Sequence, residues 1–130
     1  MERVYNFLKE AKVFFVATVD GNEPKVRPFG FTMIYQGKLY FCTNNQKPVY
    51  NQLMNNSNIE ICACTGTEWV RVKARAVFDK EMDAKRNVFI ADPSMNALYK
   101  AEDEIFEIFY LKDAEATFCS MSGMCEKESF

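Results

Sequence analysis

The 130 residues, 48% of them apolar and 15% aromatic, are enough for one domain with a buried core and exclude a disordered chain. A formal net charge of −2, with no histidine anywhere, excludes a basic nucleic-acid-binding face, His-based triads and His-ligated haem. Residues 1–10 are charged and contain no long apolar stretch, so they read as neither a secretory leader nor a membrane span, and the expected location is cytoplasmic.

Val4, Phe7, Leu8 and Ala11 recur at i, i+3, i+4 and i+7, which predicts a short amphipathic helix. Val13 to Val19 is an apolar, β-branched and aromatic run ending at Asp20-Gly21, a pair that turns a hairpin because glycine accepts positive φ. Pro24 to Ile34 is the expected returning strand. Tyr35 to Gly37 make a second turn, and Lys38 to Thr43 alternates polar and apolar residues as the third strand of a meander. Pro48 suits the first turn of a helix, where its missing N–H is no loss, and Val49 with Leu53 supplies an i, i+4 apolar pair before Asn55, Asn56 and Ser57 end the element.

Asn58 to Thr65 and Trp69 to Phe78 are the next strands, joined through Gly66. Their alternation sets Trp69, Arg71, Lys73 and Arg75 against Val70, Val72, Ala74 and Ala76. Glu81 to Ala91 reads as a helix stopped by Asp92-Pro93, and Ile105 to Leu111 and Ala116 to Ser120 are two closing strands around Lys112-Asp113. No repeat, linker or low-complexity stretch interrupts the chain. Of the five cysteines, Cys42, Cys62, Cys64 and Cys119 fall in apolar strand-like runs and read as reduced, small hydrophobes. Cys62 and Cys64 share a strand face, but a zinc site requires further Cys or His ligands, so no metal is expected.

Arg27 on the second strand and Lys47 at the opening of the second helix offer two cations and a helix N-terminus to one phosphate. Arginine supplies a planar fork for two oxygens; lysine adds a point charge beside unpaired backbone N–H groups. Thr43, Asn44 and Asn45 also suit a helix cap. A phosphorylated cofactor is the expected ligand, and with no histidine as base the chemistry falls largely to that cofactor.

The order of elements, together with Lys25 to Phe29, Lys38 to Asn44, Lys47, and Trp69 to Val72, resembles the FMN-binding split barrel of the pyridoxamine 5′-phosphate oxidase-like family over nearly the whole chain. The resemblance implies a mainly β fold with flanking helices, an antiparallel six-stranded split β-barrel. It further implies FMN, with Arg27 and Lys47 on the phosphate, Thr43, Asn44 and Gln46 adding contacts, and the Pro28, Phe29 and Gly30 backbone lining the flavin ring. Trp69 matches a position that reaches the cofactor from the neighbouring subunit, which implies a homodimer with sites at its interface. No side chain is assigned as acid or base.

Thr32 stands where the true oxidases carry a lysine for substrate phosphate, and the closing segment, residues 121–130, offers no arginine. Vitamin B6 oxidation is therefore not expected. The nitroimidazole-resistance reductases are nearer in size, although some use a histidine that this chain lacks. The expected function is flavin-mediated electron transfer from NAD(P)H or a partner protein to a small electron-poor acceptor. An FMN electron carrier or flavin store, a deazaflavin reductase on the same barrel, and a cofactor-free interaction module are the alternatives.

Overall fold

A computed structural model describes residues 1–130. Helix α1 (Glu2–Ala11) buries Val4 and Leu8, one turn apart, and ends at Lys12, whose amide still donates to the Leu8 carbonyl while its φ of 69° turns the chain out of the helix. Strands β1 (Phe14–Asp20) and β2 (Glu23–Phe29) form the expected hairpin, turned by Gly21 at φ 63°. Helix α2 (Pro48–Asn55) carries its proline in the first turn and buries Val49, Gln52 and Leu53. Strands β5 (Asn58–Thr65) and β6 (Glu68–Asp79) pair in register, with Trp69, Arg71, Lys73 and Arg75 on the face opposite buried Val70, Val72, Ala74 and Ala76. Helix α3 (Met82–Ala91) follows, continued by a 3-10 turn at Pro93–Ala97 that the sequence did not announce.

The structure departs from expectation in three strands. The returning strand ends at Phe29, and a separate short β3 (Met33–Tyr35) pairs with β4 (Lys38–Asn44). Between them Thr32 is buried and donates its hydroxyl to the Tyr40 carbonyl, which ties the break to β4. Lys112-Asp113 does not divide two strands: β7 runs unbroken from Phe106 to Ser120. Asp113 takes a φ of 53° and accepts from the Arg75 guanidinium at 2.9 Å, while the β6–β7 register shifts between Lys73 and Arg75. The polar pair thus makes a bulge, because β6 is long enough to pair with β7 on both sides of it. Lastly, Cys125–Ser129 forms β8 against β7, and Cys119, expected to be a reduced core thiol, is disulfide-bonded to Cys125. Cys42, Cys62 and Cys64 are free.

The result is an antiparallel split barrel of eight strands rather than six, in the order β2-β1-β5-β6-β7-β4-β3, with β8 also paired to β7 and the path left open. No helix is long and apolar enough to cross a membrane. The larger core, centred on Phe14, Phe41, Ile61, Val72 and Phe109, lies beneath α1 and α2. A smaller one, including Phe31, Met33, Tyr40, Val88, Met95 and Phe106, lies beneath α3 and the 3-10 turn. The candidate site opens along the seam between them.

Candidate functional site

A cavity of about 280 Å³ is bounded by Arg27, Pro28, Phe29, Gly30 and Phe31 on one side, Cys42 and Thr43 of β4 beneath, Lys47 and Val49 at the head of α2, and Asp92, Met95, Leu98 and Tyr99 opposite. Arg27 lies across the β1–β2 ladder from Val16, half-buried, with its side chain on the same face as Phe29. Its guanidinium donates to the Val16 carbonyl at 3.2 Å, the Thr18 hydroxyl at 2.7 Å and the Gln52 carbonyl oxygen at 2.6 Å. The Thr18 hydroxyl in turn donates to the same Gln52 oxygen at 2.6 Å, both side chains being buried. Arginine has about five N–H donors, so two remain for a ligand, held in a fixed plane by the other three. Burial lowers the Arg27 pKa from its usual value, and a guanidinium keeps its charge in proteins.

Lys47 is the N-cap residue of α2, with its backbone extended and no side-chain hydrogen bond closing the helix end. The Thr43-Asn44-Asn45 cap expected from the sequence does not form. The Asn44 side-chain oxygen accepts from the Gln46 amide, and the Asn45 amide reaches the Glu104 carbonyl and the Glu107 carboxylate instead. Helix α2 therefore presents a positive end without its own side-chain acceptor. Neither Arg27 nor Lys47 has a carboxylate partner among the ion pairs of the molecule. Thr43, a lining residue of the cavity, carries the one buried side-chain polar atom with no hydrogen-bond partner, its Oγ1. Two uncompensated cations and an orphaned hydroxyl converge on one space, a combination that suits an anion rich in acceptor oxygens.

The remaining expected residues divide. Pro28, Phe29 and Gly30 line the cavity. A Cβ on Gly30 would meet only the Lys12 carbonyl at an ordinary 3.7 Å, so the fold itself does not demand glycine there. Asn44 stands just outside the wall, donating at 2.7 Å to the hydroxyl of Tyr99, which lines it. Gln46 faces a neighbouring groove of about 520 Å³ shared with Asn51, Gln52 and Asn55. Trp69 is not brought to this cavity: it lies half-buried on the outer face of β6, between Cys64 and Cys119.

Several residues of the site and its surroundings escaped the sequence reading. Gln52 left a usable signal, a glutamine three residues after Val49 on the buried helix face. Asp92, Met95, Leu98 and Tyr99 left none, since only the packing of the 3-10 turn carries them across. Cys42 faces the cavity as a neutral thiol; burial pushes its pKa up to about 12, with Lys47 opposing and Asp92 adding to the shift. It is no nucleophile at neutral pH.

The family model described as pyridoxamine 5′-phosphate oxidase matches residues 1–112. The chain belongs to the pyridoxamine 5′-phosphate oxidase family. No curated protein matches the sequence. Among solved structures, this family member is similar to a NimC/NimA family protein from Clostridium acetobutylicum, with 37% identity and a TM-score of 0.96 over 100% of this chain and 92% of the other. The fold recurs in a pyridoxamine 5′-phosphate oxidase-related, FMN binding protein from Nostoc punctiforme, at 14% identity and a TM-score of 0.60 over 99% and 93%. It also recurs in HutZ, the haem storage protein of Vibrio cholerae, at 15% identity and a TM-score of 0.68 over 85% and 87%.

Proposed function

We propose that this member of the pyridoxamine 5′-phosphate oxidase family binds FMN and is an oxidoreductase, passing electrons from a reduced nicotinamide or a partner protein to a small electron-poor acceptor. The reading rests on the unpaired cations Arg27 and Lys47 and the orphaned Thr43 hydroxyl sharing one cavity. Arg27 offers its two remaining N–H groups to phosphate oxygens, Lys47 adds charge at a helix N-terminus, and Thr43 contributes one hydroxyl. Phe29, Gly30 and Met95 provide apolar or side-chain-free wall for a flat ring. When bound, FMN supplies reversible hydride and single-electron chemistry; the residues of this chain hold it and exclude water from one face. The haem named for HutZ is less well served here, because the chain has no histidine to offer the iron. Thr32, its hydroxyl committed to the Tyr40 carbonyl, is not free for a second phosphate, which argues against a vitamin B6 substrate.

Titration of FMN, followed by flavin fluorescence and visible absorption, tests the reading. Saturable binding to the wild-type protein is expected, and no spectral change would end the proposal. Thr43→Val sharpens it. Without ligand this change removes an unpaired buried hydroxyl and should leave stability unchanged or raise it by up to about 1 kcal/mol; with FMN it should weaken binding by about 0.5–1.5 kcal/mol. Unaltered affinity would remove Thr43 from the contact set.

At about 280 Å³ the cavity lies at the lower edge of small-ligand sites, roughly 300–1,000 Å³, so a second copy is proposed to complete it. The outer face of the β1–β2 hairpin exposes Phe15 and Val26, on the same side as Pro28 and next to half-buried Cys62. Trp69 shares that outer sheet face and is the proposed contribution to the partner's site. Sedimentation equilibrium should give twice the 15.1 kDa chain mass, with Phe15→Asp shifting the protein toward monomer and weakening FMN. A monomer binding FMN at full affinity would refute the shared site.

A further inference from the structure

One transverse row of the sheet concentrates sulfur. Cys64 of β5 is opposite Trp69 of β6, Trp69 is opposite Cys119 of β7, and Cys119 is opposite Cys125 of β8. The last two are disulfide-bonded with their Cα atoms 4.2 Å apart. Ala114 and Phe130 exchange both backbone hydrogen bonds, which makes Cys119 and Cys125, five residues along an alternating ladder, a non-hydrogen-bonded pair. The close spacing of such a pair admits a disulfide without interrupting the backbone ladder.

Strand β8 gives the bond a task. Its residues are Cys125, Glu126, Lys127, Glu128 and Ser129, and none is fully buried; Phe130 alone packs partly against the core. The strand is held by its ladder to β7, by ion pairs from the N-terminal ammonium to Glu128, from Arg3 to Glu126 and from Lys127 to Glu115 of β7, and by the disulfide. Little apolar burial restrains it, so opening the covalent tie weakens its hold on β7. Cys125 is exposed whereas Cys119 is buried, so an incoming thiolate meets one sulfur and not the other. Free Cys64, although in the row, lies two strands from Cys119 with Trp69 between, roughly 9–10 Å across the ladder, too far for exchange onto it.

We propose that Cys119–Cys125 is a redox site of its own: a thiol–disulfide couple, reduced by dithiols, that secures or releases β8 and alters the surroundings of Trp69. A dithiol thiolate attacks Cys125 Sγ, forming a mixed disulfide and breaking the Cys119–Cys125 bond; Cys119 leaves as thiolate and takes a proton from water. The second thiol of the reagent then attacks the mixed disulfide and releases Cys125, so the protein gains two electrons and two protons while the dithiol becomes a cyclic disulfide. The couple requires no flavin, so it stands or falls apart from FMN binding.

Dithiothreitol is the probe. Air-equilibrated protein, denatured and alkylated with iodoacetamide, should carry three carbamidomethyl groups, and five after reduction, as one disulfide among five cysteines requires. In the folded protein, reduction should raise emission from Trp69, the sole tryptophan, because a facing disulfide quenches indole. Amide exchange over residues 125–130 should quicken by about tenfold or more, while that of β5 and β6 holds. Cys64→Ser should keep both responses and Cys125→Ser should lose them. Five carbamidomethyl groups without reductant, reduction only upon unfolding, or reduction with neither response would each overturn the proposal, and the wild-type measurements decide it even if Cys125→Ser fails to fold.

Discussion

Arg27→Ala and Lys47→Ala are each expected to weaken FMN binding by about 1.5–3 kcal/mol, the range for losing a charged hydrogen bond, which is roughly a 10- to 150-fold rise in Kd. Arg27 is the more informative. Its removal leaves the Thr18 hydroxyl still bonded to the Gln52 oxygen at 2.6 Å, so the pair that orients the guanidinium stays satisfied and the fold should survive. Arg27→Lys should not restore binding, since one ammonium cannot make the three internal bonds and still offer a planar pair of donors. Riboflavin, which lacks the phosphate, provides the control: its affinity should change much less than that of FMN in both variants. Wild-type FMN affinity in either variant would take that residue out of the phosphate site, and an equal loss for riboflavin would place the residue at the ring instead.

The residues of the site that could be read in advance are those whose meaning is local. Arg27 alternates on a strand beside a turn-forming Asp20-Gly21, and Lys47 precedes a proline that starts a helix, so sequence spacing alone puts both near β-strand and helix ends. Tyr99 and Asp92 reach the same cavity through a 3-10 turn packed on the second core, and nothing within a few residues of either announces that contact. The fold divides in the same way. The alternation of β6 and the periodicity of α1 survive into the structure because each element buries the face that its own pattern defines. Lys112-Asp113 misled because a polar pair is equally good chemistry for a turn and for a bulge, and the choice was made by β6, some forty residues earlier in the chain. Strand β8 was invisible because its stability comes from the edge of β7 and a disulfide, while its own side chains are almost all polar.

Phe109→Ala should be the most destabilising single change, costing about 3–5 kcal/mol, the usual range for emptying a buried phenylalanine site. Phe109 is fully buried and stands where three strands meet: opposite Phe41 on β4 and Phe78 on β6, and stacked on Phe41 with ring centroids 5.5 Å apart. It also meets Phe29 edge-on at 6.3 Å and Phe78 at 5.5 Å. Phe29 is a wall of the candidate site, and Phe41 immediately precedes Cys42 and Thr43 on its floor, so the cavity left by the ring adjoins the two strands that shape the candidate pocket. Both effects should appear in urea unfolding with and without FMN. A ligand at a hundred times its Kd adds about 2.7 kcal/mol to a protein that binds it, and Phe109→Ala should gain clearly less than the wild type from the same FMN concentration. Phe109→Leu, which retains most of the volume, should lose less than the alanine variant and recover most of the FMN-dependent gain. A loss below about 1 kcal/mol in Phe109→Ala would mean that the strands collapse onto the space, contradicting a rigid aromatic centre. A large loss with an unchanged FMN-dependent gain would show that the core and the pocket are mechanically separate.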